Sequence, residues 1–151
     1  MEKNILILCC GYPFETDKAF GYQVAKILEK MNLPENVDLM EVGESACMIP
    51  SFIDGKEKLI VIDYFQTGQT PGTIVRLKQE EVPLTVNGVT DVPKLHLIET
   101  LEQIAISGKL PETTFIGVVP KDITTVGTSL TPEIGEKIPE VVNLIIKEIK
   151  N

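Results

Sequence analysis

The sequence predicts an α/β fold: three layers, α/β/α, on a mostly parallel five-stranded twisted sheet with one antiparallel edge strand. Three observations predict it. Apolar runs of strand length recur along the chain, as in Ile5-Leu6-Ile7-Leu8, Leu59-Ile60-Val61-Ile62 and Phe115-Ile116-Gly117-Val118-Val119, and continuous runs suit parallel strands covered on both faces. Segments of helical apolar period stand between them, which supplies the crossovers and the two helical layers. One step, from Ile62 to Ile74, carries only loop residues between its strands, and so calls for an antiparallel edge strand.

The elements follow in order. Strand one is expected from about Asn4 to Cys10, and the turn after it is drawn from Gly11-Tyr12-Pro13, with Thr16 and Asp17 as N-cap candidates. Helix one then runs from about Asp17 to Met31 on the period Val24, Ile27, Leu28, Met31, and Leu33-Pro34 stops it. Val37 to Val42 alternates as a second strand ending at Gly43, and a short amphipathic segment, about Ser45 to Ile53, leads to the Asp54-Gly55 turn. Leu59 to Ile62 is a third strand, with Asp63 just past its end. Thr73 to Leu77 is the fourth, and Arg76, Lys78 and Glu80 mark it as an edge, where charge is tolerated. Helix three begins near Asp91 or Pro93, buries Leu97, Ile98, Leu101, Ile104 and Ala105, and ends at Gly108. After the fifth strand, Phe115 to Val119, Thr131-Pro132-Glu133 reads as N-cap, first-turn proline and acidic first turn of a last helix. Ile134, Ile138, Val141, Val142, Ile145 and Ile149 form its inward face.

Composition sets the outer limits. With 151 residues, 43% hydrophobic and 24% charged, the chain fits one soluble domain over residues 1–151. No apolar run approaches the roughly 20 residues of a membrane span, and no signal peptide is expected ahead of the first strand. A net charge of −8 argues against a nucleic-acid partner, whose phosphates need clustered Lys and Arg. Cys9, Cys10 and Cys47 are an odd count with two adjacent, which suits reduced thiols and a cytoplasmic location.

Ligands of open α/β sheets bind outside the carboxyl ends of the strands. The Gly11–Gly21 loop and Asp63 both fall there, so the cleft is expected between them. Among familiar chemistries, a Ser-His-Asp or Cys-His set would need His96, which shares the polar face of helix three with Glu99, Thr100 and Gln103. The loop also lacks the spacing and the Lys-Ser/Thr of a phosphate cradle. The cysteines match no zinc spacing and read as small buried hydrophobes.

Taken together, these pieces resemble the endopeptidases that mature nickel-iron hydrogenases. The resemblance rests on Thr16-Asp17-Lys18-Ala19-Phe20-Gly21, Val61-Ile62-Asp63, Pro71-Gly72-Thr73-Ile74, Glu80-Glu81-Val82-Pro83, Gly117-Val118-Val119-Pro120 and Leu130-Thr131-Pro132. It implies a hydrolase that cuts the C-terminal extension from a hydrogenase large-subunit precursor. It also implies no cofactor of the protein's own, the nickel being carried by the substrate. Of the three nickel-contact positions it implies, Asp63 matches, the second acidic position of the opening loop is Lys18, and the histidine position falls at Thr90, with His96 as a sliding alternative. On this reading Asp63 and Asp17 are the catalytic candidates, with Asp63 also meeting the substrate's nickel. Lys18, Gly43, Glu44, Thr90 and Asp91 are the substrate-binding candidates. Lys18 is expected to ion-pair with Asp63, because an ammonium offers no lone pair to a metal. The alternative is a non-proteolytic binding or chaperone-like protein on the same scaffold. A third reading is a small-molecule enzyme with Cys10 or Cys47 as nucleophile.

Overall fold

A computed structural model describes residues 2–43, 49–81, 101 and 103–151. Its five strands are β1 (Ile5–Cys10), β2 (Val37–Val42), β3 (Lys58–Tyr64), β4 (Ile74–Lys78) and β5 (Glu112–Val118). They form one sheet in the order β2-β1-β3-β5-β4. β1 pairs in parallel with β2 and β3, and β3 with β5. β4 runs antiparallel at the edge beside β5, in the register Ile74↔Val118 to Lys78↔Thr114. The step without a helix therefore does produce the antiparallel edge, with β5 inserted between its two strands.

The helices described from end to end are α1 (Phe20–Glu29), α2 (Ile49–Ile53), α3 (Pro132–Gly135) and α4 (Ile138–Lys150); 3-10 turns stand at Thr16–Ala19, before α1, and at Gln79–Glu81. Each face of the sheet has its own core. Ile5, Ile7, Cys9, Ile60, Ile62 and Ile116 pack under Phe20, Val24 and Leu28 of α1 and Val141, Val142 and Ile145 of α4. On the other face Leu6, Leu8, Cys10, Leu59, Val61 and Phe115 meet Ile49 and Ile53 of α2, with Leu101 and Ile104. Period-2 alternation explains the division, since neighbours in a strand point to opposite faces. Among the described residues no helix is long and apolar enough to cross a membrane.

Three sequence expectations change, and a fourth is met in the part described. Helix one buries Phe20, Val24, Ala25 and Leu28, while Ile27 and Met31 stay 37% exposed; counting the period from Phe20 rather than Val24 turns the helix. Asp63 lies inside β3, one residue before its end, rather than beyond it. The last helix is two helices, because Pro139 brings no N–H for the Gly135 carbonyl and its ring crowds that turn. Of helix three, residues 103–106 are helical and Gly108 follows at φ +77°, the left-handed cap expected there; its start at Asp91 or Pro93, with Leu97 and Ile98, lies outside the described residues.

Candidate active site

The chain leaves β1 through α1 to reach β2 on one side, then returns through α2 to β3 on the other. Strand order therefore reverses between β1 and β3, and a crevice opens outside the carboxyl ends of strands at such a switch point. The sequence sends the Gly11–Gly21 loop out of β1 at that end, and Asp63 arrives there on β3. Gly21 lets α1 start directly against β1, since a Cβ on it would lie 1.9 Å from the Cys10 carbonyl oxygen. The turn Thr16–Ala19 in consequence packs against β3. The turn after β1 and the end of β3 that carries Asp63 thus meet at the carboxyl end of the sheet, where a cleft is expected. Gly43 follows β2 at the same end and is exposed.

Asp63 is fully buried, and its Oδ1 accepts the Tyr64 N–H at 2.8 Å. By alternation its side chain belongs to the face of Leu59 and Val61.

Asp17 is also fully buried, but it caps neither its own turn nor α1. Its carboxylate reaches across to the segment after β5. Oδ2 accepts the N–H of Lys121 at 2.9 Å and of Asp122 at 2.8 Å. Oδ1 accepts the Thr131 N–H at 2.9 Å, and the Thr131 hydroxyl lies 3.0 and 2.9 Å from the two oxygens. Thr131 stands at the N-cap position of α3 without a side-chain cap bond, because its hydroxyl serves Asp17 instead. Neighbouring main chain completes the seam: Asp17 N–H to Asp122 O at 3.0 Å, Gly127 N–H to Phe14 O at 3.0 Å and Thr16 N–H to Gly127 O at 3.3 Å. Thr16 sits at φ +54°, a strained conformation for a β-branched residue, and its hydroxyl donates to the Thr125 carbonyl. Phe14 and Val126 stand on the two sides of this seam, 65% and 83% exposed.

Lys18 departs from expectation. Its Nζ pairs with Glu15 Oε2 at 3.0 Å, three residues back on the same turn, rather than with Asp63. A flexible stem reaches the carboxylate beside it on the turn before one buried in the sheet. Glu44, Thr90, Asp91, His96 and Cys47 lie outside the described residues. Cys9 and Cys10 are both buried in β1. Burial pushes the Cys9 thiol well above its ordinary value, with Glu41, Asp63 and Glu29 adding to the rise. Both therefore serve as small hydrophobes in the sheet, and Cys10 lacks the access a nucleophile needs. Sequence reasoning missed the segment from Lys121 to Thr131 as part of this site. Its one visible signal, Thr131, reads equally well as an ordinary helix cap.

This arrangement places a buried carboxylate and a braced loop at the same end of the sheet. Comparison with known proteins gives it a family. A family model described as hydrogenase maturation protease matches residues 22–148, beginning just past the opening loop. A Methanocaldococcus jannaschii protein assigned as a hydrogenase maturation protease is 31% identical over 99% of this chain and 98% of its own. The hydrogenase 2 maturation protease of Escherichia coli is 29% identical over 87% of this chain and 78% of its own length. Among solved structures, the E. coli hydrogenase maturating endopeptidase HybD superposes with a TM-score of 0.88 at 25% identity, covering 99% of this chain and 93% of that one. By the extent of these matches, this chain belongs to the hydrogenase maturation protease family.

Proposed function

We propose that the chain is an endopeptidase that removes the C-terminal extension of a nickel-iron hydrogenase large-subunit precursor, acting in the cytoplasm. The observation that supports the reading is buried Asp63 near the end of β3, the strand against which the turn of the opening loop packs, at the sheet's switch point. Family membership supplies the reaction class. In this reading Asp63 is the catalytic carboxylate and meets the metal that the precursor brings. Polarisation of the scissile carbonyl by that metal then lets water attack. Asp17 positions rather than reacts, because backbone and hydroxyl donors occupy both of its oxygens. Lys18, Gly43, Glu44, Thr90 and Asp91 are proposed to contact the precursor around the cleft. The odd count of three cysteines, two of them adjacent, suits a reducing compartment.

The test is incubation with a purified large-subunit precursor, nickel-loaded and nickel-free, followed by mass spectrometry of the product. Loss of a C-terminal peptide from the loaded precursor is the expected result. Asp63→Asn should slow that loss roughly 10²-fold or more, the scale at which a positioned acid-base or charge-stabilising group acts. Tight binding of the precursor with its mass unchanged would instead favour the non-proteolytic alternative. Equal cleavage by Asp63→Asn would remove Asp63 from the mechanism.

A further inference from the structure

Asp63 owes its place to the strand beside it. In the parallel register of β3 and β5, Asp63 lies opposite Gly117 and Tyr64 opposite Val118. Immediately after the strand, the Phe65 N–H bonds to the Val118 carbonyl at 2.9 Å, which carries the pairing with β5 one residue further. The Phe65 ring, 2% exposed, meets Phe115 edge to face with centroids 6.4 Å apart and planes at 83°. That ring lies over residue 117. A Cβ there would stand 2.5 and 2.8 Å from Phe65 Cε2 and Cδ2, and 1.8 Å from the Asp63 main-chain oxygen. No side chain fits unless the Asp63 main chain withdraws by about 1 Å, the gap between that separation and the shortest tolerable contact.

We infer that Gly117 is a positioning residue for Asp63: its missing side chain lets the Asp63 carbonyl and the Phe65 ring close down on β5. Asp63 is thereby held from two directions, by the Tyr64 N–H on its Oδ1 and by Phe65 docked over Gly117. The kinetic consequence rests on the endopeptidase reading; the structural one does not. A displacement of about 1 Å in a reacting group is worth roughly 10²-fold in rate.

The experiment compares wild type, Gly117→Ala and Phe65→Leu, with Val142→Ala on α4 as a control for lost core packing. Two readouts are taken: cleavage kinetics on nickel-loaded precursor, and the ¹³C carboxyl NMR signals of Asp63 and Asp17. For Gly117→Ala, kcat should fall roughly 10²-fold with KM little changed, the Asp63 signal should move, and the Asp17 signal should stay. Phe65→Leu, which loosens the same clamp without adding an atom at 117, should move the Asp63 signal in a folded protein. Val142→Ala should alter neither kcat nor the Asp63 signal. An Asp63 signal unmoved in both Gly117→Ala and Phe65→Leu overturns the inference; should Gly117→Ala not fold, Phe65→Leu decides alone. If wild type leaves the precursor intact, the endopeptidase reading fails, and the carboxyl signals still decide the role of Gly117.

Discussion

Glu148→Gln is expected to lower the unfolding free energy by about 3–5 kcal/mol, the usual result of breaking a buried ion pair from one side. Glu148 is 4% exposed on α4 and Lys58 1% exposed at the start of β3. Lys58 Nζ lies 2.8 Å from Glu148 Oε1 and donates to the Glu148 main-chain oxygen at 2.8 Å. Arg76 of the edge strand donates to Oε2 through Nη2 at 2.7 Å and Nε at 3.1 Å, and the Thr114 hydroxyl approaches Oε1 at 3.2 Å. One carboxylate thus joins the last helix to three strands. Glutamine would offer its amide hydrogens to a set of donors and leave the Lys58 ammonium buried without its counter-charge.

The same network gives stability a pH signature. Burial acts to raise the Glu148 carboxyl, yet hydrogen bonds from Lys58 and Arg76 and their charges outweigh it and hold the group below its ordinary value. A depressed carboxyl adds stability above the unfolded value of roughly 4.3, and that stability is lost as pH falls through the folded value. Chemical denaturation across an acid series should therefore show a steep loss in wild type and a flatter one in Glu148→Gln. Replacing both partners, Lys58→Met with Glu148→Leu, should cost less than Glu148→Gln alone, because no unpaired charge then remains in the core. Cleavage per folded molecule should not change, since this network sits at the opposite end of β3 from Asp63. A Glu148→Gln protein within about 1 kcal/mol of wild type, the scale of an exposed pair, would show the pair to be solvated.

What the sequence made legible was whatever is local. Parallel strands covered on both faces are apolar runs, so β1, β3 and β5 announce themselves, and the missing crossover between β3 and β4 announces the antiparallel edge. The bounds of β3 were hidden because a charge stands near each end: Lys58 and Asp63 read as loop residues, though both are buried. Neither Glu148 nor Asp17 carries a sign of its role, because their partners lie 34 to 90 and 104 to 114 residues away. A charged residue on a helix and an aspartate at a turn are most simply a solvated face and a cap. That Asp63 and the opening loop share one end of the sheet was foreseeable from one general rule about strand ends, whereas the seam depends on pairings no period encodes.

That seam makes the second large prediction. Asp17→Asn is expected to cost on the order of 4 kcal/mol, because charge-assisted hydrogen bonds to backbone are worth about 1.5–3 kcal/mol each and an unsatisfied buried donor costs a further 1–3 kcal/mol. The amide could accept through one atom only, while its NH2 would face the N–H groups of Lys121 and Asp122 or of Thr131. Asp17→Glu should not rescue it, since the site is closed to solvent and one added methylene must displace packed neighbours. The damage should also be local before it is global. Hydrogen exchange at Lys121, Asp122, Thr131 and Gly127 should speed up in Asp17→Asn while amides in β1 and β3 keep their protection, because the sheet holds together without the seam. Thr16 bears on the same point: its φ of +54° is strain of about 1–2 kcal/mol that the seam must overcome. Releasing the seam lets that residue relax and carries Lys18, two positions on, away from its place beside β3. Cleavage should then fall further than stability alone requires. If exchange accelerates uniformly through sheet and loops, Asp17 is merely part of the core. If the loop amides accelerate first, the aspartate is what keeps the opening loop in place at the carboxyl end of the sheet.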